Sequence, residues 1–192
     1  MGTFSPTPFY TAEVDEFCKK YVYQATVDAM AAEGREFKGI IFFGLILTPK
    51  GPRVLEFNAR FGDPETEVVL PLLESDAYDV FYGIATGQLS TVNCQLSWRN
   101  EATIGVVLAS KGYPGSYAKG AVIEGTELFD GPIFHMGTKN DNGVLKTNGG
   151  RVMMCIATGK DIATARAKVY KEIEKIHCDN LFYRKDIAHW AL

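Results

Sequence analysis

Residues 40 to 58 carry the pattern of a β-hairpin, and a dense run of charge follows directly. The apolar run Ile40–Thr48 predicts a strand buried on both faces. Pro and Gly at 49–52 predict a turn, and Arg53–Asn58 predicts the returning strand. Polar side chains then crowd into twelve residues at the far end: Glu56, Asn58, Arg60, Asp63, Glu65 and Glu67. A buried hairpin does not need such a run, so the sequence suggests a functional site here.

Composition limits the classes of function that are open to the chain. With 192 residues and 46% hydrophobic residues, the chain is long and apolar enough to form a core. The net charge of −3 argues against a nucleic-acid partner, which needs a concentrated basic patch. The longest apolar run, 39–47, has the size of a strand, so we expect no membrane span. Residues 1–8 lack the pattern of a signal peptide.

The four cysteines are scattered, at Cys18, Cys94, Cys155 and Cys178, and include no Cys-x-x-Cys pair. Free thiols in a reducing cytoplasm are therefore expected, rather than disulfides or a zinc site. A cytoplasmic location is the corresponding prediction.

The remaining helices and strands are predicted from the periodicity of hydrophobic residues and from the positions of turn-forming residues. Helices are predicted at 11–32, with Thr11 as the N-cap, and at 65–73, 76–86 and 160–178. After residue 99 short β runs alternate with glycine turns, at 103–110, 120–125, 133–139, 144–147 and 151–157. The sequence therefore predicts an α+β chain with a domain boundary near residue 99, dividing it into 1–98 and 99–192.

Glu56 and Asn58 are separated by one residue on the second strand of the hairpin. Residues i and i+2 of a strand share a face, so both side chains point to the same side and Phe57 points to the other. A carboxylate beside an amide oxygen suits Mg²⁺, which prefers hard oxygen ligands. The alternative is that Glu56 forms an ion pair with Arg53 or Arg60.

The segment 56–65, Glu-Phe-Asn-Ala-Arg-Phe-Gly-Asp-Pro-Glu, resembles the signature of the phosphoribosylamine–glycine ligase family, also called glycinamide ribonucleotide synthetases. Further segments are similar to family motifs in the same order: 1–6 to MGAYSP, 44–45 to the GLM strand, 112–115 to GYPG, 135–139 to HAGTK, 147–152 to TNGGRV and 184–187 to RKDI. The resemblance covers the chain from end to end, but only the C-terminal half of such an enzyme.

The resemblance implies the rear half of an ATP-grasp fold, an antiparallel sheet with helices, in residues 1–98. It also implies the family's small β-rich C-terminal domain with a packed helix in 99–192. The N-terminal half would be a missing partner, and Met1 is expected to be an internal methionine of a longer protein or the end of a cloned or proteolytic fragment. That half would cover an exposed face carrying Phe43, Leu45, Leu55 and Glu56.

The implied reaction joins glycine to 5-phosphoribosylamine at the expense of ATP, through a glycyl-phosphate intermediate, in purine biosynthesis. Glu56 and Asn58 would hold Mg²⁺ or Mn²⁺. Many ATP-grasp enzymes carry a second metal carboxylate on the preceding strand, near Phe43 and Gly44 in this chain, where the sequence has none. Leu45 and Ile46 would lie near the adenine of ATP. The fragment alone is expected to be inactive.

Two further residues of the signature have open roles. Arg60 could hold the glycine carboxylate or the transferred phosphoryl group, or form an ion pair with Asp63 or Glu65. Asp63 could orient an amine, or cap the helix that Pro64 opens.

The loop at 147–151 is the candidate site for the substrate phosphate. Gly149 and Gly150 let backbone N–H groups approach an anion closely, and Lys139 and Arg151 would add positive charge. The alternative for the Asn-Gly-Gly turn is an ordinary tight hairpin.

Two other functions also stay open: a different ATP-grasp carboxylate–amine ligase, and a non-catalytic β-rich interaction module.

Overall fold

The structure is a computed structural model and describes residues 1–89 and 96–192, so Cys94 lies outside the described residues. The chain forms two compact units, one of residues 1–6, 64–72 and 99–192, the other of residues 7–63 and 73–98. Each unit combines helices with antiparallel strands, and the α+β class is confirmed. The chain passes between the units more than once, and the division into domains at residue 99 stays a prediction. Within the described ranges, no helix is long and apolar enough to cross a membrane.

The second unit begins with the predicted long helix. It runs without a break through α1 (Ala12–Cys18), a π-helical segment (Lys19–Tyr23) and α2 (Gln24–Ala32). The Thr11 hydroxyl accepts a hydrogen bond from the Val14 amide at 3.4 Å, so the predicted N-cap is confirmed.

The hairpin consists of β2 (Phe42–Thr48) and β3 (Gly51–Asn58), which pair antiparallel. The prediction that the first strand is buried on both faces is wrong, because Ile46 and Leu47 are 45% and 46% exposed. The two strands form a sheet of their own, which covers them less than a central position in a larger sheet would.

The helix predicted for 65–73 is shorter than expected. α3 covers Thr66–Val69 and a 3-10 turn follows at Leu70–Leu72, because Pro71 has no N–H to continue the α-helical ladder. α4 (Ala77–Thr86) matches its prediction: the Asp76 carboxylate caps it, and Gly87 ends it in the left-handed region at φ 70°.

The first unit is built on a five-stranded antiparallel sheet. Its strands are β1 (Gly2–Ser5), β4 (Ala102–Ser110), β5 (Ile133–His135), β8 (Arg151–Gly159) and β9 (Leu181–Phe182). The order is β1-β4-β8-β5, and β9 pairs with the end of β4. β6 (Thr138–Asp141) and β7 (Val144–Thr147) form a separate hairpin, and α5 covers Ile162–Ile173.

Three predictions in this unit need correction. Residues 120–125 form isolated bridges to Lys146 and His177 rather than a strand. The run predicted at 133–139 splits into β5 and β6, because the amides of Met136 and Gly137 both donate to the Val152 carbonyl and turn the chain. The helix predicted for 160–178 ends at Ile173, after which the chain turns back through 3-10-type hydrogen bonds.

Successive side chains of a strand point to opposite faces, and consecutive residues of the central strands β4 and β8 are buried, so both faces of these strands are covered. On the face packed by α5, Ile104 and Cys155 lie in the larger core cluster with Val169. On the other face, Val107 and Met154 pack against Val68 of α3. The short α3 is therefore part of this unit's core, although it directly follows the hairpin in sequence.

A buried carboxylate links α5 to the loop before β5. Glu172 is 7% exposed and accepts hydrogen bonds from the Asp130 amide at 2.8 Å and from Lys175 Nζ at 2.5 Å. Lys175 Nζ also donates to the Leu128 carbonyl at 3.0 Å. The Lys175 ammonium and then the Asp130 N–H hold the pKa of Glu172 below its usual value of 4.5.

This network predicts a pH-dependent contribution to stability. A depressed pKa in the folded state stabilises the protein above the unfolded pKa, and the contribution is lost as the pH falls through the folded pKa. We expect Glu172→Gln to be less stable than the wild type at pH 7, and the difference to shrink as the pH falls below 4.5. Urea unfolding between pH 7 and pH 2.5 checks this prediction. Glu174→Gln, which changes the exposed residue directly after α5, is the control, and a difference that persists unchanged at the acid limit would contradict the prediction.

Candidate functional site

The sequence-predicted site residues fall into two groups, one in each unit. Those of the hairpin and the turn after it lie in the second unit: Leu45, Ile46, Glu56, Asn58, Arg60 and Asp63. Those of the predicted phosphate loop lie in the first unit: Lys139, Gly149, Gly150 and Arg151. Each group is described within its own unit.

Glu56 and Asn58 lie side by side on β3. Asn58 Nδ2 donates to Glu56 Oε1 at 3.2 Å, so the prediction that the two side chains are adjacent is confirmed. Phe57 between them contacts the ring of Phe43 at 5.4 Å between centroids, and Phe43 in turn contacts Tyr23 of the helix at 4.6 Å. The aromatic face of the hairpin therefore meets the helix, and the carboxylate and amide lie on the opposite face.

A β-bulge lies directly before the pair. Gly44 is the register partner of Glu56, while Leu45 is the partner of Val54, so Leu55 is the extra residue on β3. A bulge re-aims the side chains next to it and is frequent beside functional sites. Leu55 is 67% exposed at this position.

Leu45 and Ile46 point to opposite sides of β2, because successive strand residues alternate. Ile46 shares the face of Gly44, and therefore of Glu56. Leu45 shares the face of Phe43. Of the two residues predicted near adenine, Ile46 is the one on the face of Glu56. Phe43, which was expected on the open face, is instead half-buried against Tyr23 and Phe57.

Arg60 and Asp63 lie in the exposed segment after β3. Arg60 Nη1 donates to the carbonyl of Phe61 at 2.9 Å, and the Phe61 ring packs edge-on against Phe81 of α4 at 6.0 Å. Asp63 lies at the start of the turn that precedes α3, whose N-cap position is Glu65. The guanidinium is thus held close to the loop backbone, on the strand end that carries Glu56 and Asn58.

In the first unit, Lys139 lies on the β6–β7 hairpin opposite Lys146. Lys146 Nζ forms an ion pair with Asp141 at 2.9 Å, which offsets the positive charge of Lys146. Lys139 is exposed on the neighbouring strand.

The loop after β7 is held by close backbone approaches. Asn148 N–H donates to the Gly137 carbonyl at 2.7 Å, and a Cβ on Gly137 would lie 2.8 Å from the Gly149 Cα. Ser110 binds the loop twice, with its hydroxyl donating to Gly149 O and its amide to Gly150 O, each at 2.8 Å. Since N–H and C=O point in opposite directions across a trans peptide, the amides of Gly150 and Arg151 point away from Ser110.

The Tyr113 ring packs against Gly150 of this loop. A Cβ on Gly150 would lie 2.2 Å from the Tyr113 ring, so only glycine allows the contact. The contacts bring together three segments that are far apart in sequence: 110–115, 135–139 and 147–151. Sequence reasoning missed Ser110, and it named Gly137 and Tyr113 only as members of segments that are similar to family motifs. The signal that could have found them was the glycine spacing of the GYPG-like and TNGGRV-like segments.

The sequence profiles of two domains of one family match the chain. Phosphoribosylglycinamide synthetase, ATP-grasp (A) domain, matches residues 1–66, and the C domain of the same synthetase matches residues 103–190. The ATP-grasp match includes the hairpin and the Glu56–Asn58 pair. The C-domain match includes the Ser110–Gly150 loop contacts.

Solved structures agree on the fold. The crystal structure of phosphoribosylamine–glycine ligase from Thermotoga maritima matches with a TM-score of 0.84 and 35% identity, covering 98% of this chain and 46% of that one. Biotin carboxylase from Campylobacter jejuni matches with a TM-score of 0.59 and 13% identity, covering 95% of this chain and 40% of that one, which shows the fold alone. The chain therefore forms part of an ATP-grasp ligase fold.

Curated relatives specify the family. Phosphoribosylamine–glycine ligase of Halalkalibacterium halodurans is 45% identical over 100% of this chain and 44% of its own length. Bifunctional purine biosynthetic protein ADE1 of Schizosaccharomyces pombe is 44% identical over 100% of this chain and 24% of its own. The chain belongs to the phosphoribosylamine–glycine ligase family, and it spans less than half the length of these relatives.

Proposed function

We propose that the chain is the C-terminal part of an ATP-dependent ligase that joins glycine to 5-phosphoribosylamine in purine biosynthesis. The γ-phosphoryl group of ATP is transferred to the glycine carboxylate, which gives glycyl phosphate and ADP. The amine of phosphoribosylamine then attacks the carbonyl carbon and releases phosphate, which gives glycinamide ribonucleotide. The adjacent Glu56 and Asn58, within the segment that matches an ATP-grasp domain, carry this proposal.

Glu56 and Asn58 fit a divalent cation. The Nδ2 group of Asn58 donates to Glu56, which leaves the amide oxygen as an acceptor for a cation beside the carboxylate. Membership of the ATP-grasp ligases implies ATP and a divalent cation, and we propose Mg²⁺ or Mn²⁺. Such an ion takes few ligands from the protein and the rest from phosphate oxygens and water. When bound, it offsets the charge of the reacting phosphates.

Arg60 and Asp63 extend the same strand end. A guanidinium at Arg60 can bind the glycine carboxylate or the transferred phosphoryl group with paired N–H donors. Asp63, which is exposed in the turn, can orient the amine of glycine or of phosphoribosylamine. Ile46, on the Glu56 face, and Leu45, on the other, are the residues we propose near adenine.

The loop at 148–151 would bind the ribose 5-phosphate. Its Gly150 and Arg151 amides point away from Ser110, and such amides bind anions when glycine permits a close approach. Lys139 and Arg151 would supply the positive charge. The tight backbone contact between Gly137 and Gly149 supports a shaped loop rather than a simple hairpin turn.

The rest of the ATP-grasp domain would be the main protein partner. The second unit exposes a groove of about 420 Å³ between the helix and β3, lined by Tyr21, Ala25, Met30, Val54 and Phe57 among others. Leu55, Phe57 and Ile46 are 67%, 55% and 45% exposed. Apolar surface of this kind is normally covered.

A cytoplasmic location accompanies this proposal, and the described cysteines are free thiols.

Two other functions would account for fewer of these observations. A different ATP-grasp carboxylate–amine ligase would share the Glu-x-Asn strand but would not account for a match to the synthetase's own C domain. A non-catalytic β-rich interaction module would use the first unit alone and leave the Glu56–Asn58 pair without a role.

We expect this chain alone to show no ligase activity and no micromolar affinity for Mg-ATP. Its hairpin supplies one wall of a nucleotide site, and phosphates need ligands from more than one side. Isothermal calorimetry with Mg-ATP checks this prediction, with the N58A variant as the comparison. Micromolar binding by the wild type would contradict it.

A chimera tests the proposed function. This chain is fused to the part of the Halalkalibacterium halodurans ligase that it does not match, so that a single polypeptide of full length results. We expect the chimera to form glycinamide ribonucleotide from glycine, phosphoribosylamine and ATP, with one ADP released for each product. A folded chimera that hydrolyses ATP with another carboxylate and not with glycine would favour a different ligase.

A further inference from the structure

Gly44 lies directly beneath the side chain of Glu56. The two residues are register partners across the hairpin, so their side-chain positions are on the same face. A Cβ built on Gly44 would lie 2.8 Å from Glu56 Cγ and 3.7 Å from Glu56 Cδ. The Glu56 side chain therefore occupies the volume that any other residue at position 44 would fill.

The bulge makes the position of the Glu56 side chain depend more strongly on residue 44. Because Leu55 is the extra residue, Glu56 is the first residue of β3 to return to regular pairing, and Gly44 is its partner. Glu56 is exposed, so its side chain can rotate away if Gly44 gains a methyl group. The fold would tolerate that rotation, but it would remove the carboxylate from Asn58 Nδ2, which now lies 3.2 Å away.

We propose that Gly44 is a positioning residue of the metal site. The absence of a side chain at position 44 holds the Glu56 carboxylate beside the Asn58 amide. This inference rests on the proposed function, because it gives the pair its role toward a divalent cation. It assigns to β2 a steric contribution rather than a ligand.

The test uses the isotope-labelled chain and two NMR readouts. The first is the side-chain amide resonance of Asn58 without metal, compared between wild type, Gly44→Ala and Glu56→Ala. The second is the broadening of the backbone amides of residues 56–58 by Mn²⁺. The control is Leu47→Ala, which changes an exposed residue of the same strand. Gly44→Ser is a second variant with the same expected displacement.

We expect both Gly44 variants to shift the Asn58 side-chain amide toward its position in Glu56→Ala, and Leu47→Ala to leave it unchanged. The Mn²⁺ dissociation constant should rise about tenfold in the Gly44 variants, the scale at which changes around metal ligands act. An Asn58 resonance that moves in Glu56→Ala but stays in place in both Gly44 variants would overturn the role of Gly44. Mn²⁺ broadening that is unchanged in Glu56→Ala would overturn the metal site itself.

Discussion

Replacing Glu56 by Gln in the full-length chimera is expected to lower kcat/KM by at least about 100-fold, or about 2.7 kcal/mol. The substitution keeps the size of the side chain and its hydrogen-bond partner Asn58, but it replaces a charged oxygen ligand with a neutral one. Changes in the residues that only orient metal ligands already cost about 10–100-fold, so the loss of a ligand charge should cost more.

Steady-state kinetics at several Mg²⁺ concentrations would check this result. Because the change weakens ion binding, part of the activity should return as Mg²⁺ is raised. Glu16→Gln, an exposed carboxylate on α1, is the matched control and should stay within about twofold of the wild type. Activity of Glu56→Gln within threefold of the wild type, with no change in Mg²⁺ dependence, would show that Glu56 is not a ligand.

Replacing Gly125 by Ala is expected to destabilise the first unit by about 3 kcal/mol or more. Gly125 has a φ of 80°, and a Cβ there would lie 2.0 Å from the Lys175 carbonyl oxygen. The obstruction is backbone, which cannot rotate away as a side chain can. The adjacent Glu124–His177 bridge, with two hydrogen bonds of 3.0 Å, would have to open.

Gly143→Ala is the matched control for this prediction. Gly143 also has a positive φ, of 87°, but an added Cβ would meet nothing within 4 Å. Its cost should be limited to the left-handed backbone, about 1 kcal/mol. Hydrogen exchange of the β4 and β8 amides measures the opening free energy of this unit in both variants. Equal losses in the two would mean that the approach to Lys175 carries no energetic weight.

Local sequence signals determined several elements correctly. Thr11 and Asp76 offer the side-chain oxygens that N-caps need, and Gly87 tolerates the left-handed conformation that ends a helix. The adjacency of Glu56 and Asn58 followed from the two-residue period of a strand. The motif resemblance identified the family, because a ten-residue signature accompanied by further motifs in the same order is specific to that family.

The tertiary structure decided what depends on contacts between distant residues. The apolar run at 40–48 is as compatible with a buried strand as with an exposed one, since cover comes from other elements. Residues 133–139 divide because the Val152 carbonyl accepts two of their amides. The space that Glu56 occupies over Gly44 depends on a bulge, and neither the bulge nor the register it sets has a local sequence signal in this hairpin. The contacts of Ser110 and Tyr113 with residues 149–150 likewise form only when β4 lies beside β8.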